Sequence, residues 1–377
     1  MSITVCLAAK TLYYPHGGGH LWVYLNWAMG LRSIGCDVIW LEGVDPLTPS
    51  HQVRSYVDAL KSRLEPYGLA ERVALWPWYG DPLPAEALAG CLDTDAAAEA
   101  DLLLNQQHSM RADLVQRFRR TALLDIDPGL TQTWFSRGLV SVAPHDVYFT
   151  IGETVGRRGS RFPDGGLRWE YTRPCVALDW WPTWPADDAA PFTTVTHWSM
   201  GEWEEHAGEI YSNDKRTGFL PFLELPRHTT QPLELAVLLG EHEQAERNML
   251  HRYGWSLRDT TAVASRPEDY QRYIRQSRGE FSCAKPSCVR LQNGWISDRT
   301  ICYLASGKPA VVQHTGPSRF LPDDAGLFRF HDLEGAARCL SEVAADYERQ
   351  CLLARALADE HFDARQVTRH VLERALA

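Results

Sequence analysis

The sequence has no apolar run approaching the roughly 18 residues that a membrane-spanning helix needs. It has no CxxC pair. Its nine cysteines, Cys6, Cys36, Cys91, Cys175, Cys283, Cys288, Cys302, Cys339 and Cys351, are scattered, which fits buried free thiols better than disulfides or a zinc site. No secretory leader precedes them, so the expectation is a soluble, cytoplasmic protein. Positive charge is in deficit: 38 Lys and Arg stand against 48 Asp and Glu, a formal net charge of −10. That argues against nucleic acid or an anionic membrane surface as partner. There is no repeat of fixed period and no low-complexity tract. Apolar material is ample, at 45% hydrophobic residues, enough for two domains with separate cores.

Read in order, the chain alternates strand and helix. ITVCLAA (3–9) is short enough for a buried strand. After KTLYYPHGGGH, residues Leu21, Tyr24, Leu25, Ala28, Leu31 and Ile34 recur at helical spacing, Gly35 stops the helix, and DVIWL (37–41) gives a second strand. That is a βαβ unit. VALWPW, DLLLNQQ, TALLDIDPG and DVYFTIGE supply further strands, with helices over 50–69 and 84–98 and a basic helix over 111–120. Residues 173–192 carry Pro174, Pro182, Pro185 and Pro191, a density that breaks regular elements and marks a hinge. A second alternation follows, including a helix over 216–225, and the tail from Tyr347 is helical. The expected organisation is an α/β domain over 1–188, a second over 189–355, and a C-terminal helix over 356–377.

The stretch 281–320 reads as strand, polar loop, helix, strand and second polar loop. In open α/β sheets such loops lie at the carboxyl ends of strands, where ligands bind, and their amides, hydroxyls and cations make a seat for a nucleotide diphosphate. Three features, the glycine loop and helix GGGHLWVYLNWAMGLRSIGCDVIWLE, the element DRTICYLASGKPAVVQHTG and the closing helices, resemble glycosyltransferases of the GT-B fold. Within the second element the likeness rests on Ala305, Gly307, Pro309, Val311 and Val312. The resemblance implies two Rossmann-like domains facing across a cleft, C-terminal helices, and a UDP or dTDP sugar as donor substrate. It also implies a phosphate charge balanced by protein groups, with no obligate metal or cofactor. The paired glutamates of many retaining members correspond here to Gly294 and Cys302; Asp298 and Arg299 are nearby substitutes.

For the donor, the candidates are Ser199, Ser282, Lys285, Asn293, Gly294, Trp295, Ser297, Asp298, Arg299, Thr315 and Gly316. Leaving-group charge needs cations and N–H donors, and Lys285 and Arg299 are the cations; a solvated Lys285 and a capping Ser199 are the bland alternatives. For the base that deprotonates an acceptor, His20 at the start of the first long helix comes first, on its near-neutral pKa. Asp127, in the DPG turn, comes second, although such turns use aspartate structurally. Asp125 is expected to orient a histidine or pair with an arginine. His16, Gly18, Gly19 and Trp134 complete the acceptor side, Trp134 as an aromatic face for a sugar or flat aglycone. The acceptor class expected is a small molecule, such as a secondary metabolite, and the protein a monomer or homodimer.

Two other classes stay open. A dinucleotide-dependent oxidoreductase would use Gly17 and Gly19 with Glu42 as ribose-binding acid, but Trp22 replaces the third glycine. A non-catalytic GT-B module binding a nucleotide or glycan is kept open by the missing glutamates.

Overall fold

The computed structural model describes residues 2–80, 82–199 and 201–377. Its first strands are β1 (Thr4–Ala9), β2 (Asp37–Val44) and β3 (Val73–Pro77), with helices α1 (Gly18–Ser33) and α2 (Ser50–Leu64) between them. Short helices α3 (Ala85–Leu88) and α4 (Thr94–Ala98) lead to β4 (Leu102–Asn105), then α5 (Ala112–Val115), β5 (Thr121–Asp125), α6 (Leu130–Ser136), β6 (Val147–Thr150) and β7 (Trp169–Tyr171). These strands form one parallel sheet in the order β3-β2-β1-β4-β5-β6-β7. The central strands are buried on both faces, which is why β1 (TVCLAA) and β4 (LLLN) read as continuous apolar runs and not as alternation.

The second alternation begins with β8 (Phe192–His197), a hairpin β9 (Trp203–His206) and β10 (Glu209–Ser212), and α7 (Lys215–Phe219). It continues through β11 (Leu233–Leu238), α8 (Gln244–Tyr253), β12 (Ser256–Asp259), α9 (Thr260–Val263), α10 (Pro267–Gln276) and β13 (Gly279–Ser282). Then come α11 (Pro286–Leu291), α12 (Asp298–Ala305), β14 (Ala310–Gln313), β15 (Asp324–Ala325), β16 (Leu327–Phe330), α13 (Leu333–Ala345), α14 (Tyr347–Leu357) and α15 (Ala364–Leu376). The second sheet runs β12-β11-β8-β13-β14-β16-β15, parallel except for the two-residue β15.

The chain divides into two units. Unit 1 holds Met1–Arg158, Phe162–Ala177 and Asp363–Ala377; unit 2 holds Gly159–Arg161 and Leu178–Phe362. Within unit 1, α1 is buried nearly all round, because the sheet takes one side and α15 the other. Gly30 permits that approach: a Cβ there would lie 2.7 Å from Ala364 Cβ and 2.8 Å from Thr368 Cγ2. Unit 2 has an aromatic core that includes Phe192, Trp198, Phe219, Trp255, Phe281 and Phe330. Phe281 and Phe330 stack with centroids 5.3 Å apart and planes 9° from parallel, so the strand leading into the polar loop at 283 is anchored by its own side chain.

Two local expectations give way to other elements, and one hairpin was not expected. The basic stretch 111–120 forms only the single turn α5. The helix expected over 216–225 ends at Phe219 and continues as 3₁₀ turns at Leu220–Phe222 and Leu225–Arg227, where Pro221 and Pro226 lack the amide a helix needs. The hairpin β9–β10 had no Asn-Gly signal; Ala207 and Gly208 take φ of 54° and 83°, the positive pair that a tight hairpin turn requires.

Candidate functional site

In each unit the parallel strands end at one rim, where a ligand site is expected. In unit 1, the loop after β1 is pinned from below. Glu42, 1% exposed at the end of β2, accepts from Thr11 N at 3.0 and 2.9 Å, from Leu12 N at 3.2 Å and from Trp40 Nε1 at 2.9 Å, as well as from the Thr11 hydroxyl. Burial pushes its carboxyl up, and these bonds pull it back. Both oxygens are therefore spent inside the unit, which removes the ribose-binding role a dinucleotide site would give it.

The pinned loop leads into α1, and His20 sits in its first turn. Its Nε2 lies 2.7 Å from Lys10 O; since a carbonyl only accepts, Nε2 donates there. Tyr14 and Tyr24 flank the ring at 4.8 and 5.4 Å. Gly18 and Gly19 form the helix start, and His16 is exposed in the preceding loop. At the end of β5, Asp127 is exposed, whereas Asp125 is buried. Among the described residues, Asp125 has neither a histidine nor an arginine as a hydrogen-bond partner. It accepts from Gln132 Nε2 at 2.7 Å, Thr150 Oγ1 at 2.8 Å and Asp127 N at 3.1 Å, and burial pushes its carboxyl up. It holds the DPG turn that presents Asp127. Trp134 lies on α6, not in a loop, 6.0 Å from the ring of His108. His108 was not foreseen: it follows β4 in a stretch with no motif. Burial pushes its imidazole down, the Asp127 carboxylate pulls it up, and Lys10 adds to the lowering. Lys10, His20, His108, Asp127 and Trp134 thus belong to loops or helix starts following β1, β4 and β5.

In unit 2, Ser282, Trp295, Ser297, Arg299 and Thr315 line one small depression at the ends of β13 and β14. Its two loops are tied together. Gly294 N donates to Thr315 O at 3.0 Å, and Thr315 Oγ1 to Trp295 O at 2.5 Å. Gly316 N donates to His314 Nδ1 at 3.2 Å. The Gly294 and Gly316 amides, expected as phosphate donors, are thus bonded within the chain. Gly316 has φ of 137°, and a Cβ on it would lie 2.5 Å from Gln292 O, so only glycine fits this junction. Asn293 is buried and accepts from Trp295 N at 3.1 Å. Ser297 caps α12 by accepting from Arg299 N at 3.2 Å, and Asp298 is the first residue of that helix.

Arg299 occupies a helix start, where a cation is disfavoured, and the reason is beneath it. Its Nε donates to Glu280 Oε1 at 2.7 Å, Nη1 to Val195 O at 3.0 Å and Nη2 to Ser282 Oγ at 2.5 Å. Burial is the largest influence and works against its charge, but the Glu280 carboxylate, 0% exposed, together with Tyr270 and Tyr303, holds the guanidinium above its ordinary range. Lys285 pairs with Glu202 at 2.6 Å, and Ser199 is exposed beyond the end of β8.

A third cation, Lys215, was not singled out from the sequence. It opens α7, whose start is fixed by Asp214 accepting from Thr217 N at 2.9 Å and by Arg216 on Glu246 at 2.8 and 3.0 Å. Gly218 lets α7 lie on the loop after β13, for a Cβ there would be 2.2 Å from Ala284 O. Lys215 Nζ consequently reaches Cys283 O at 2.7 Å. Burial and then the Arg299 charge push its amine down to about 8. The sequence signal was available in principle: a capped Lys-Arg turn ahead of a glycine facing the strand end.

Among the described residues, no group of three or more His, Cys, Asp or Glu is placed to hold a metal ion, and no helix is long and apolar enough to cross a membrane.

No family model matches the chain, and no curated protein matches it. Solved structures do. An α-glucosyltransferase in complex with UDP-glucose and DNA containing an abasic site superposes with a TM-score of 0.62 at 10% identity over 100% of both chains. HepE from Anabaena in complex with UDP superposes with a TM-score of 0.58 at 13% identity over 99% of both. Identity this low carries the fold and not the activity. With its two parallel α/β sheets matched over their whole length, the chain has the GT-B fold of these glycosyltransferases.

Proposed function

We propose that the protein is a glycosyltransferase that moves a sugar from a nucleoside-diphosphate sugar, with UDP or dTDP as carrier, to a small-molecule acceptor. The observation that carries this reading is the unit 2 depression, with the Lys215 amine bonded to Cys283 O, the residue that follows β13. The donor diphosphate would take the Lys215 ammonium in place of that carbonyl, and the flat face of half-buried Trp295 would meet the base or the sugar. Charge developing on the departing phosphates is then stabilised by a cation already held by α7, with no reorganisation of the backbone. On the unit 1 side, Nδ1 of His20 would take the acceptor proton; the neutral His108, whose ring the Asp127 carboxylate influences, is the alternative base. The neighbours' UDP and UDP-glucose support the donor class. The net charge of −10 favours a small acceptor over DNA.

One observation favours a second reading, a non-catalytic nucleotide-binding module: Lys285 and Arg299 are both engaged by carboxylates. Release of free nucleotide from UDP- and dTDP-sugars by the purified protein separates the two. Transfer predicts slow release that Lys215→Ala abolishes and His20→Ala reduces. Tight binding without release would support the module, and neither binding nor release would remove both.

A further inference from the structure

Unit 1 contains a cavity of about 300 Å³ whose lining includes none of His20, His108, Asp127 and Trp134, at the lower end of the size range of small-molecule sites. It opens beside the end of the edge strand β3. Leu75, Trp76, Leu83, Leu88 and Leu114 form its apolar wall. Trp76 is 2% exposed, and its indole N–H has no acceptor.

The rim is charged and asymmetric. Arg111 Nε donates to Asp113 Oδ1 at 2.9 Å, and Arg117 pairs with Asp95. In both pairs the arginine is the inner partner: the side chains are 34% and 65% exposed for Arg111 and Asp113, and 45% and 75% for Arg117 and Asp95. Asp93 also lines the cavity, but its carboxylate caps α4 by accepting from Ala96 N at 2.8 Å. Arg111 is further held by Gly80 O at 3.3 Å. The outer carboxylates can swing into solvent at little cost, because exposed ion pairs contribute little to stability. The inner guanidiniums cannot leave as readily, and their planar forks suit a carboxylate or sulfonate.

We propose that this cavity binds an amphipathic organic anion. Its apolar body lies on the leucines and Trp76, and its acidic group replaces Asp113 and Asp95 on Arg111 and Arg117. The assignment rests on the cavity alone and stands whether or not the protein transfers sugars.

The test is calorimetric titration of the intact protein with octanoate, octylammonium and octanol, with 8-anilinonaphthalene-1-sulfonate as a fluorescent competitor. Octanoate should bind and displace the dye. Arg111→Ala combined with Arg117→Ala should weaken octanoate about tenfold, the scale of a lost charge-assisted contact, and leave octanol unchanged. Leu88→Glu, at a half-buried wall position, should abolish binding of octanoate while the melting temperature stays near wild type. Octylammonium binding as tightly as octanoate, unchanged octanoate affinity in the double arginine variant, or no binding of octanoate to the wild type would each overturn the proposal.

Discussion

The two rims hold their loops by different chemistry. In unit 1, the buried carboxylates Glu42 and Asp125 collect hydrogen bonds from amides, hydroxyls and a side-chain amide, and burial raises both. In unit 2, the buried carboxylate Glu280 is met by the guanidinium of Arg299. The first arrangement leaves histidines and aromatic rings at the rim, and its buried cation, Arg63, is spent on the carbonyls of Ala59 and Tyr14. The second ties up Arg299, the cation that lines the depression, and the proposed donor site therefore draws on Lys215. A cation adjacent to a site in sequence is thus not the same as a cation available to it.

The largest effect should come from breaking the unit 2 pair. Arg299→Met leaves Glu280 buried and uncompensated, and should cost about 3–5 kcal/mol by urea denaturation. Pairing it with Glu280→Gln should recover much of the loss. A stability close to wild type for Arg299→Met alone would make the residue a free ligand and erase the contrast between the rims.

Glu42→Ala breaks the corresponding pin in unit 1. It strands the Thr11 amide and the Trp40 indole, and with partial relief by water the expected loss is roughly 2 kcal/mol. Nucleotide binding should be unchanged if the donor belongs to unit 2. A large fall in nucleotide affinity would place the donor differently.

Lys215 gives the comparison a pH signature. Its amine loses charge near pH 8 in the unliganded protein, so affinity for a diphosphate should be full below that pH and decline above it. One pH unit above, the cation is about tenfold depleted, which bounds the loss of affinity at about tenfold. Lys215→Arg should flatten the profile between pH 7 and 9. For folding, the sign is opposite: the unfolded amine holds its proton up to its ordinary pKa, so stability rises with pH above about 8.

The smallest effect expected is that of Thr315→Val. It removes the bond to Trp295 O and should lower stability by about 1 kcal/mol, with a rise in KM for the donor and little change in kcat.

The strand positions and the two-sheet layout were legible because parallel strands buried on both faces leave uninterrupted apolar runs, as in β1 and β4. The depression in unit 2 was legible from Ser282, Trp295, Ser297 and Thr315, because they fall in loops at the ends of two successive strands, where parallel α/β sheets form their clefts. What stayed hidden depended on partners distant in sequence. Arg299 reads as a free cation until Glu280, on the preceding strand, is brought against it. Asp125 reads as a partner for a charged side chain until Gln132 and Thr150 arrive. Lys215 reads as an ordinary helix-start lysine until Gly218 lets α7 settle on the loop after Cys283.

The most direct test of the central claim is thermal denaturation of wild type and Lys215→Ala with UDP-, dTDP-, GDP- and ADP-sugars. Ligand stabilisation grows with concentration over the dissociation constant. One donor class should raise the melting temperature of the wild type in a concentration-dependent way, and the shift should collapse in Lys215→Ala. No shift with any nucleotide sugar, or an equal shift in the variant, would contradict a donor site built on Lys215 in unit 2.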